Sequence, residues 1–205
     1  LVGSKGGRDI EQVNQDRAFV YEFGDTRVTG VMDGHSDFGH LVSEWSRNEL
    51  LQTLHSLENL DEKSISDVVV SIDSSMPESI ALNGGATASF VIQKNKTLFF
   101  CNVGDSRSFL VAASVSNTEL LDATVVHSTE MHKPDSPGER ARLEAAGMIV
   151  EVKDGDDSRV WYTSEGGIQS GLAMSRALGD RDAGAAVTAE PVIDILDIDN
   201  VQSQI

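Results

Sequence analysis

The sequence has a single cysteine, Cys101, so it holds no internal disulfide and no cysteine-cluster zinc site, and a reducing compartment suits it. Basic residues are scarce: 16 Lys and Arg stand against 33 Asp and Glu, for a formal net charge of -17. That balance argues against nucleic acid or an anionic membrane as a partner, and suits either a cation binder or a plain acidic soluble protein. No apolar run is long enough to span a bilayer, and no signal-peptide pattern is present. Several catalytic signatures are missing as well. There is no His-Glu-x-x-His pair for a zinc protease, no Walker-type loop and no Gly-x-Ser-x-Gly elbow. Asn83-Gly84-Gly85-Ala86-Thr87 lacks the lysine that a phosphate cradle needs. Repeats, low-complexity tracts and a domain linker are absent too. The 205 residues, 40% of them hydrophobic, read as one domain with a real core. A start at Leu1 rather than methionine reads as a trimmed one.

What the sequence does contain is organised around Asp33-Gly34-His35. A β-branched run, Arg27 to Met32, leads into it and reads as a strand. Arg17 to Phe23 is a second strand, and Gly24-Asp25 turns one into the other, so the hairpin brings Asn14-Gln15-Asp16 beside Asp33. Gly39 to Leu57 is helical. Leu41, Val42 and Trp45 share one face and Leu50, Leu51, Leu54 and Leu57 another, so this helix is buried on two sides or breaks near Asn48. Ser64 with Asp67 resembles a capping box, and Ile65, Val68, Val69, Ile72 and Met76 follow an amphipathic period.

Three strands come next, Ala86 to Gln93, Thr97 to Val103 and Arg107 to Ala113, expected as successive antiparallel hairpins with turns at Asn95-Lys96 and Gly104-Asp105. Ser136-Pro137-Gly138-Glu139 has the form of a capped helix start, and Gly147 closes that helix. Met148 to Lys153 and Pro191 to Leu196 are further strands, with an acidic loop from Asp154 to Gly167. Helices fall in blocks rather than after every strand. Two layers of antiparallel strands with helices outside account for this better than βαβ units.

Asp16, Asp33, Asp105 and Asp180 each sit at a strand end or turn. Carboxylates there, with the exposed carbonyl of Gly34, suit hard cations such as Mg²⁺ or Mn²⁺. Taken singly, each is an ordinary turn aspartate. Of five histidines, His35 stands out as a titratable group one step from Asp33 and Gly34. His40 and His55 fall on helices, and His127 and His132 in a loop.

Together, Asn14-Gln15-Asp16, Val31-Met32-Asp33-Gly34-His35, Gly84-Gly85-Ala86-Thr87-Ala88, Val103-Gly104-Asp105-Ser106-Arg107, His132-Lys133-Pro134 and Leu172 through Asp180 resemble, in order, the metal-dependent Ser/Thr protein phosphatases of type 2C. The resemblance runs from about Gly7 to about Ile198. It implies an α+β fold, a central antiparallel β-sandwich flanked by helices on both faces, and hydrolysis of phosphoserine and phosphothreonine in proteins by a metal-activated water. It also implies Mg²⁺ or Mn²⁺ as cofactor, two ions with a third weaker one. Asp33 would bridge the pair, with Gly34, Asp16 and Gln15 as further ligands and Asp105 at the third site. His35 would serve as general acid and Arg8 would bind phosphate. A monomer in the cytoplasm or nucleus, acting on phosphoproteins, is the expectation.

The sequence departs from the family pattern at Gln15, where a Glu is usual, at Ser36-Asp37 in place of a Gly-rich pair, and at Met131 in place of an Asp. Two further metal aspartates of the family are not found between Pro191 and Ile205, so residues 1–205 read as a catalytic domain without its C-terminal portion. A catalytically impaired interaction or regulatory module on the same fold is the alternative reading.

Overall fold

The computed structural model describes residues 13–116, 119–152, 158–164 and 167–202. Strands β1 (Arg17–Phe23), β2 (Thr26–Met32) and the two-residue β3 (Gly34–His35) lead into helices α1 (Gly39–Ser56), α2 (Glu62–Ser75) and the single turn α3 (Glu78–Ala81). Then come β4 (Gly85–Ala86), β5 (Ala88–Lys94), β6 (Thr97–Val103), β7 (Phe109–Ser116) and β8 (Glu119–Ser128). Helix α4 (Pro137–Ala145) precedes β9 (Ile149–Val152), β10 (Ser158–Thr163), β11 (Gln169–Leu172) and β12 (Leu178–Gly179). A 3-10 turn (Arg181–Ala183), β13 (Val192–Asp197) and α5 (Ile198–Gln202) follow. The α+β architecture with antiparallel strands is the one the sequence implies.

The main sheet has the order β1-β2-β5-β6-β13, every neighbour antiparallel. Alternation along its strands sends Phe19, Val28, Met32, Phe90, Ile92, Phe99, Cys101 and Val103 to one face. There they form the principal core with Val42, Leu50 and Leu54 of α1 and Ile65, Val68, Val69 and Ile72 of α2. Helix α1 does not break near Asn48. It runs for 18 residues between sheet and α2, with Val42, Leu50 and Leu54 buried and Trp45 and Leu51 packed at the margin.

The capping box of α2 lies three residues before the Ser64–Asp67 pair expected from the sequence. Asp61 accepts from the Ser64 backbone N–H at 2.7 Å, and the Ser64 hydroxyl accepts from the Asp61 N–H at 2.9 Å. Two orphan donors are thereby satisfied.

Two strand assignments change. The hairpin expected at Gly104-Asp105 does not form: β7 leaves the main sheet and pairs with β8, a strand that places His127 on regular structure rather than in a loop. Register shifts at Leu110/Val111 and Ser114/Val115 break the alternation that would have disclosed this pairing. The β7–β8 hairpin is the second layer of the sandwich, with the His127 ring 4.7 Å from that of Phe100. It leaves part of the sheet bare. Val20 is 65% exposed, Val31 44%, Phe109 53% and Val111 48%.

The second change is β10, which lies inside the stretch read as an acidic loop and forms a small antiparallel sheet with β9 and β11. Residues 154–157 and 165–166 of that stretch lie outside the described residues, as does Lys153 at the end of the strand expected before it.

Helix α4 begins with Pro137 at its first position, but the Ser136 side chain makes no capping bond. Glu139 turns inward instead of completing a box. Its carboxylate accepts from Arg176 at 2.7 Å, from Arg142 at 2.8 Å and from the Ser175 hydroxyl. Burial raises the Glu139 carboxyl, but these bonds outweigh it and hold the group at about 2. A folded-state value below the ordinary one means stability that is complete above the usual carboxylate range and is lost as pH falls through it. Glu139→Gln should therefore destabilise the protein by about 3 kcal/mol near neutral pH in urea melts. The gap to wild type should shrink as the melts are repeated toward about pH 3.

Candidate active site

The site is built where four strands of the main sheet end on one side. Arg17 pairs with Met32, Val31 with Ser89 and Ala88 with Val103. The residues just past those pairs are Asp16, Asp33, Thr87 and Gly104-Asp105, which sheet register alone brings to a common rim. Backbone bonds then fix Asp33. Its N–H donates to Thr87 Oγ1 at 3.1 Å, and its carbonyl accepts from the Thr87 N–H at 2.9 Å. Thr87 also shares a 2.6 Å hydroxyl hydrogen bond with Ser106, next to Asp105.

The Asp16 and Asp33 carboxyls lie close enough to act on one another. Burial, and then the charge and contact of Asp16, push the Asp33 carboxyl above the usual range. Among the described residues no Lys or Arg forms an ion pair with either carboxylate. Two adjoining carboxyls paired to no Lys or Arg among the described residues, with His35 as the nearby titratable base, are a fit for a divalent cation, which would remove their repulsion. No group of three or more His, Cys, Asp or Glu side chains encloses an ion position among the described residues.

The other expected positions fall as follows. Gly34 is buried in β3, paired with Ala86. Gln15 donates its amide to the Ser36 carbonyl at 2.8 Å, and its own backbone carbonyl accepts from Ser43 Oγ at 2.6 Å, so it ties the turn after β3 to α1. Asp105 is near enough for its charge to act on Asp33 and His35, but its carboxylate is paired with Lys133 Nζ at 2.6 Å. Gly104 takes φ +94° beneath it, donates its N–H to His132 Nδ1 at 3.1 Å and accepts from the His132 N–H at 3.0 Å. Arg8 lies outside the described residues.

His35 has one side-chain partner. Its Nε2–H donates to Asp180 Oδ2 at 2.6 Å. Burial pulls the imidazole down, yet the bond to Asp180 and the charges of Asp180, Asp33 and Asp105 leave it above its ordinary value. Asp180 is the residue whose part sequence reasoning missed, having been grouped with the cation-binding aspartates. Its left-handed backbone, φ 47°, directly after Gly179 at φ 81°, is a conformation the sequence does not announce. Thr87 and Lys133 were visible in the ordered blocks, but without roles.

A sandwich whose sheet end gathers carboxyls and a histidine is a rim suited to a cation and to proton transfer. The comparisons make it specific: the family model described as protein phosphatase 2C matches residues 14–204, and the chain belongs to that family. "Probable protein phosphatase 2C 72" of Arabidopsis thaliana is 32% identical over 192 residues, covering 82% of this chain and 55% of its own length. The structure of a serine-threonine phosphatase 2C from Toxoplasma gondii superposes with a TM-score of 0.67 at 17% identity, over 91% of this chain and 70% of that one. A C. elegans sex determining protein gives 0.66 at 24% identity, over 92% and 46%. These two likenesses speak for the fold. The chain spans about half the length of the curated relatives it matches. Among the described residues no helix is long and apolar enough to cross a membrane.

Because Asp33 is charged against its own environment, Asp33→Asn should stabilise the cation-free protein. In chelator its Tm should rise above that of wild type. A fall would mean that Asp16 and Asp33 do not repel.

Proposed function

We propose that this chain is the catalytic region of a protein-serine/threonine phosphatase that depends on Mg²⁺ or Mn²⁺. The observation that carries the reading is the neighbouring carboxyls of Asp16 and Asp33, with no Lys or Arg paired to either among the described residues, beside His35 held by Asp180. Asp33, Asp16 and the Gly34 carbonyl hold the principal cation or cations, with the Gln15 amide oxygen as a neutral further donor. Asp105 serves a weaker site once released from Lys133. When bound, a divalent cation supplies positive charge that steadies the phosphate and eases loss of a proton from water.

The chain's own groups do the remaining work. The fixed Asp33 backbone keeps the carboxylates in place while a dianionic phosphomonoester approaches a rim that would otherwise repel it. The phosphorus–oxygen bond to the serine or threonine side chain breaks, and the oxygen of water replaces it on phosphorus. The departing oxygen takes a proton from His35, one proton of the water passes to the phosphate, and His35 is reprotonated from solvent. No covalent nucleophile takes part. Arg8 is a further phosphate contact in this reading.

A phosphatase-like interaction module is the competing reading, favoured by the engagement of Gln15 with Ser36 and of Asp105 with Lys133. The two separate cleanly. The full-length protein with Mn²⁺ should release phosphate from a phosphothreonine peptide and stop in chelator, and Asp33→Asn should lower kcat by about 100-fold or more. Mn²⁺ should also raise the Tm of wild type and not of Asp33→Asn. Phosphate release that is unchanged in chelator would overturn the proposal, and no release with or without Mn²⁺ would favour the module.

A further inference from the structure

Asp180 is 2% exposed, and its carboxylate has one side-chain hydrogen-bond partner among the described residues, His35. The two are 145 positions apart in sequence. They meet through a three-stranded ribbon of six residues, β12-β4-β3, in which Gly179 pairs with Gly85 and Gly85 with His35. Gly85 therefore lies between the strand that carries His35 and the one that ends at Asp180. A Cβ at Gly85 would overlap both Asp180 Oδ2 and His35 Nε2, so the hydrogen bond occupies the space this glycine leaves open.

Asp180 itself is held on three sides. Its N–H donates to the Gly84 carbonyl at 3.0 Å, its carbonyl accepts from the Ala183 N–H at 2.9 Å, and the preceding Gly179 N–H donates to Asp73 Oδ1 at 2.7 Å. Its left-handed φ of 47° is unfavourable for a residue with a Cβ. Ser36, on the other side of His35, is also left-handed, at φ 64°. Strain on both sides of one contact is the mark of a geometry maintained for use.

We propose that Asp180 is the positioning residue for His35: it fixes the imidazole through Nε2 and leaves Nδ1, buried and otherwise without a partner, to serve the departing oxygen. Asp180 touches neither substrate nor cation in this arrangement. Its effect passes through the ring, which a single bond to an immobile carboxylate keeps from rotating. The inference rests on the phosphatase reading above, and in particular on His35 as proton donor.

The test uses leaving-group dependence, because a proton donor matters for an alkyl alcohol and hardly for a nitrophenol, which departs as a stable anion. In the full-length protein with Mn²⁺, Asp180→Asn should lower kcat on a phosphothreonine peptide by about 100-fold, with KM unchanged within about twofold. On 4-nitrophenyl phosphate the same variant should lose less than about threefold. His35→Gln should show the same split, and the double variant should be no slower than His35→Gln alone. Gly85→Ala, which leaves both side chains in place but fills their meeting point, should reproduce the split and covers the case in which Asp180→Asn does not fold.

Equal losses on both substrates, or multiplicative losses in the double variant, would overturn the proposal. An independent readout is the His35 Nε2–H proton by NMR with Mg²⁺. It should be shifted far downfield and slow to exchange in wild type and absent in Asp180→Asn. If wild type releases no phosphate but shows that proton, the phosphatase reading fails while the positioning stands. If the proton is absent from wild type, the positioning fails whatever the activity.

Discussion

Like charges held in contact are the constraint on which this structure turns. Asp16 and Asp33 would separate if their positions depended on their side chains, since no Lys or Arg among the described residues pairs with either and His35 only partly offsets the charge of Asp33. They stay together because the backbone decides where they are. Antiparallel pairing of β1 with β2 places one just before a strand and the other just after its neighbour, and Thr87 clamps the Asp33 peptide from β5's end. That repulsion is small beside the cohesion of a five-stranded sheet on a helical core. A rim of this kind is stiff where it must be and unfavourable only in charge, so a cation can bind without reorganising the fold.

The remainder of the site depends on bringing remote segments together with little material. The ribbon formed by Gly34-His35, Gly85-Ala86 and Leu178-Gly179 contributes six residues from three distant parts of the chain. On its far side the buried Glu139 gathers Arg142, Ser175 and Arg176, and Ser175 also donates to the His132 carbonyl. His132 in turn grips Gly104, the residue before Asp105. A continuous set of hydrogen bonds thus joins the small α4 layer to the rim, and both ends of the site are supported from outside it.

Much of this was legible in the residues. The hairpin of β1 and β2, with its turn at Gly24-Asp25, predicts the meeting of Asp16 and Asp33 from local pattern alone, and the apolar period of α2 names its buried residues. The ordered blocks by themselves point to the family that the chain belongs to. Where the reading fell short, the cause was non-local. Whether β7 would pair with β6 or cross to β8 depends on a partner strand whose alternation is broken by irregular register. Glu139 matched a capping pattern, but three groups elsewhere in the chain compete for its carboxylate and win. Asp180 looked like one more turn aspartate, because its partner lies across a glycine that only the folded chain sets between them. Lys133 beside Asp105 is a pairing of the same long-range kind.

The bare strip of sheet beside the β7–β8 hairpin has a consequence for handling this polypeptide. Val20 and Val31 on one side and Phe109 on the other leave a shallow oily trough on a molecule that is otherwise strongly anionic. Salt that screens the acidic exterior removes the mutual repulsion between molecules while strengthening the tendency of the trough to escape water. Raising ionic strength should therefore drive these chains to clump, the reverse of what is expected when attraction between opposite charges holds particles together.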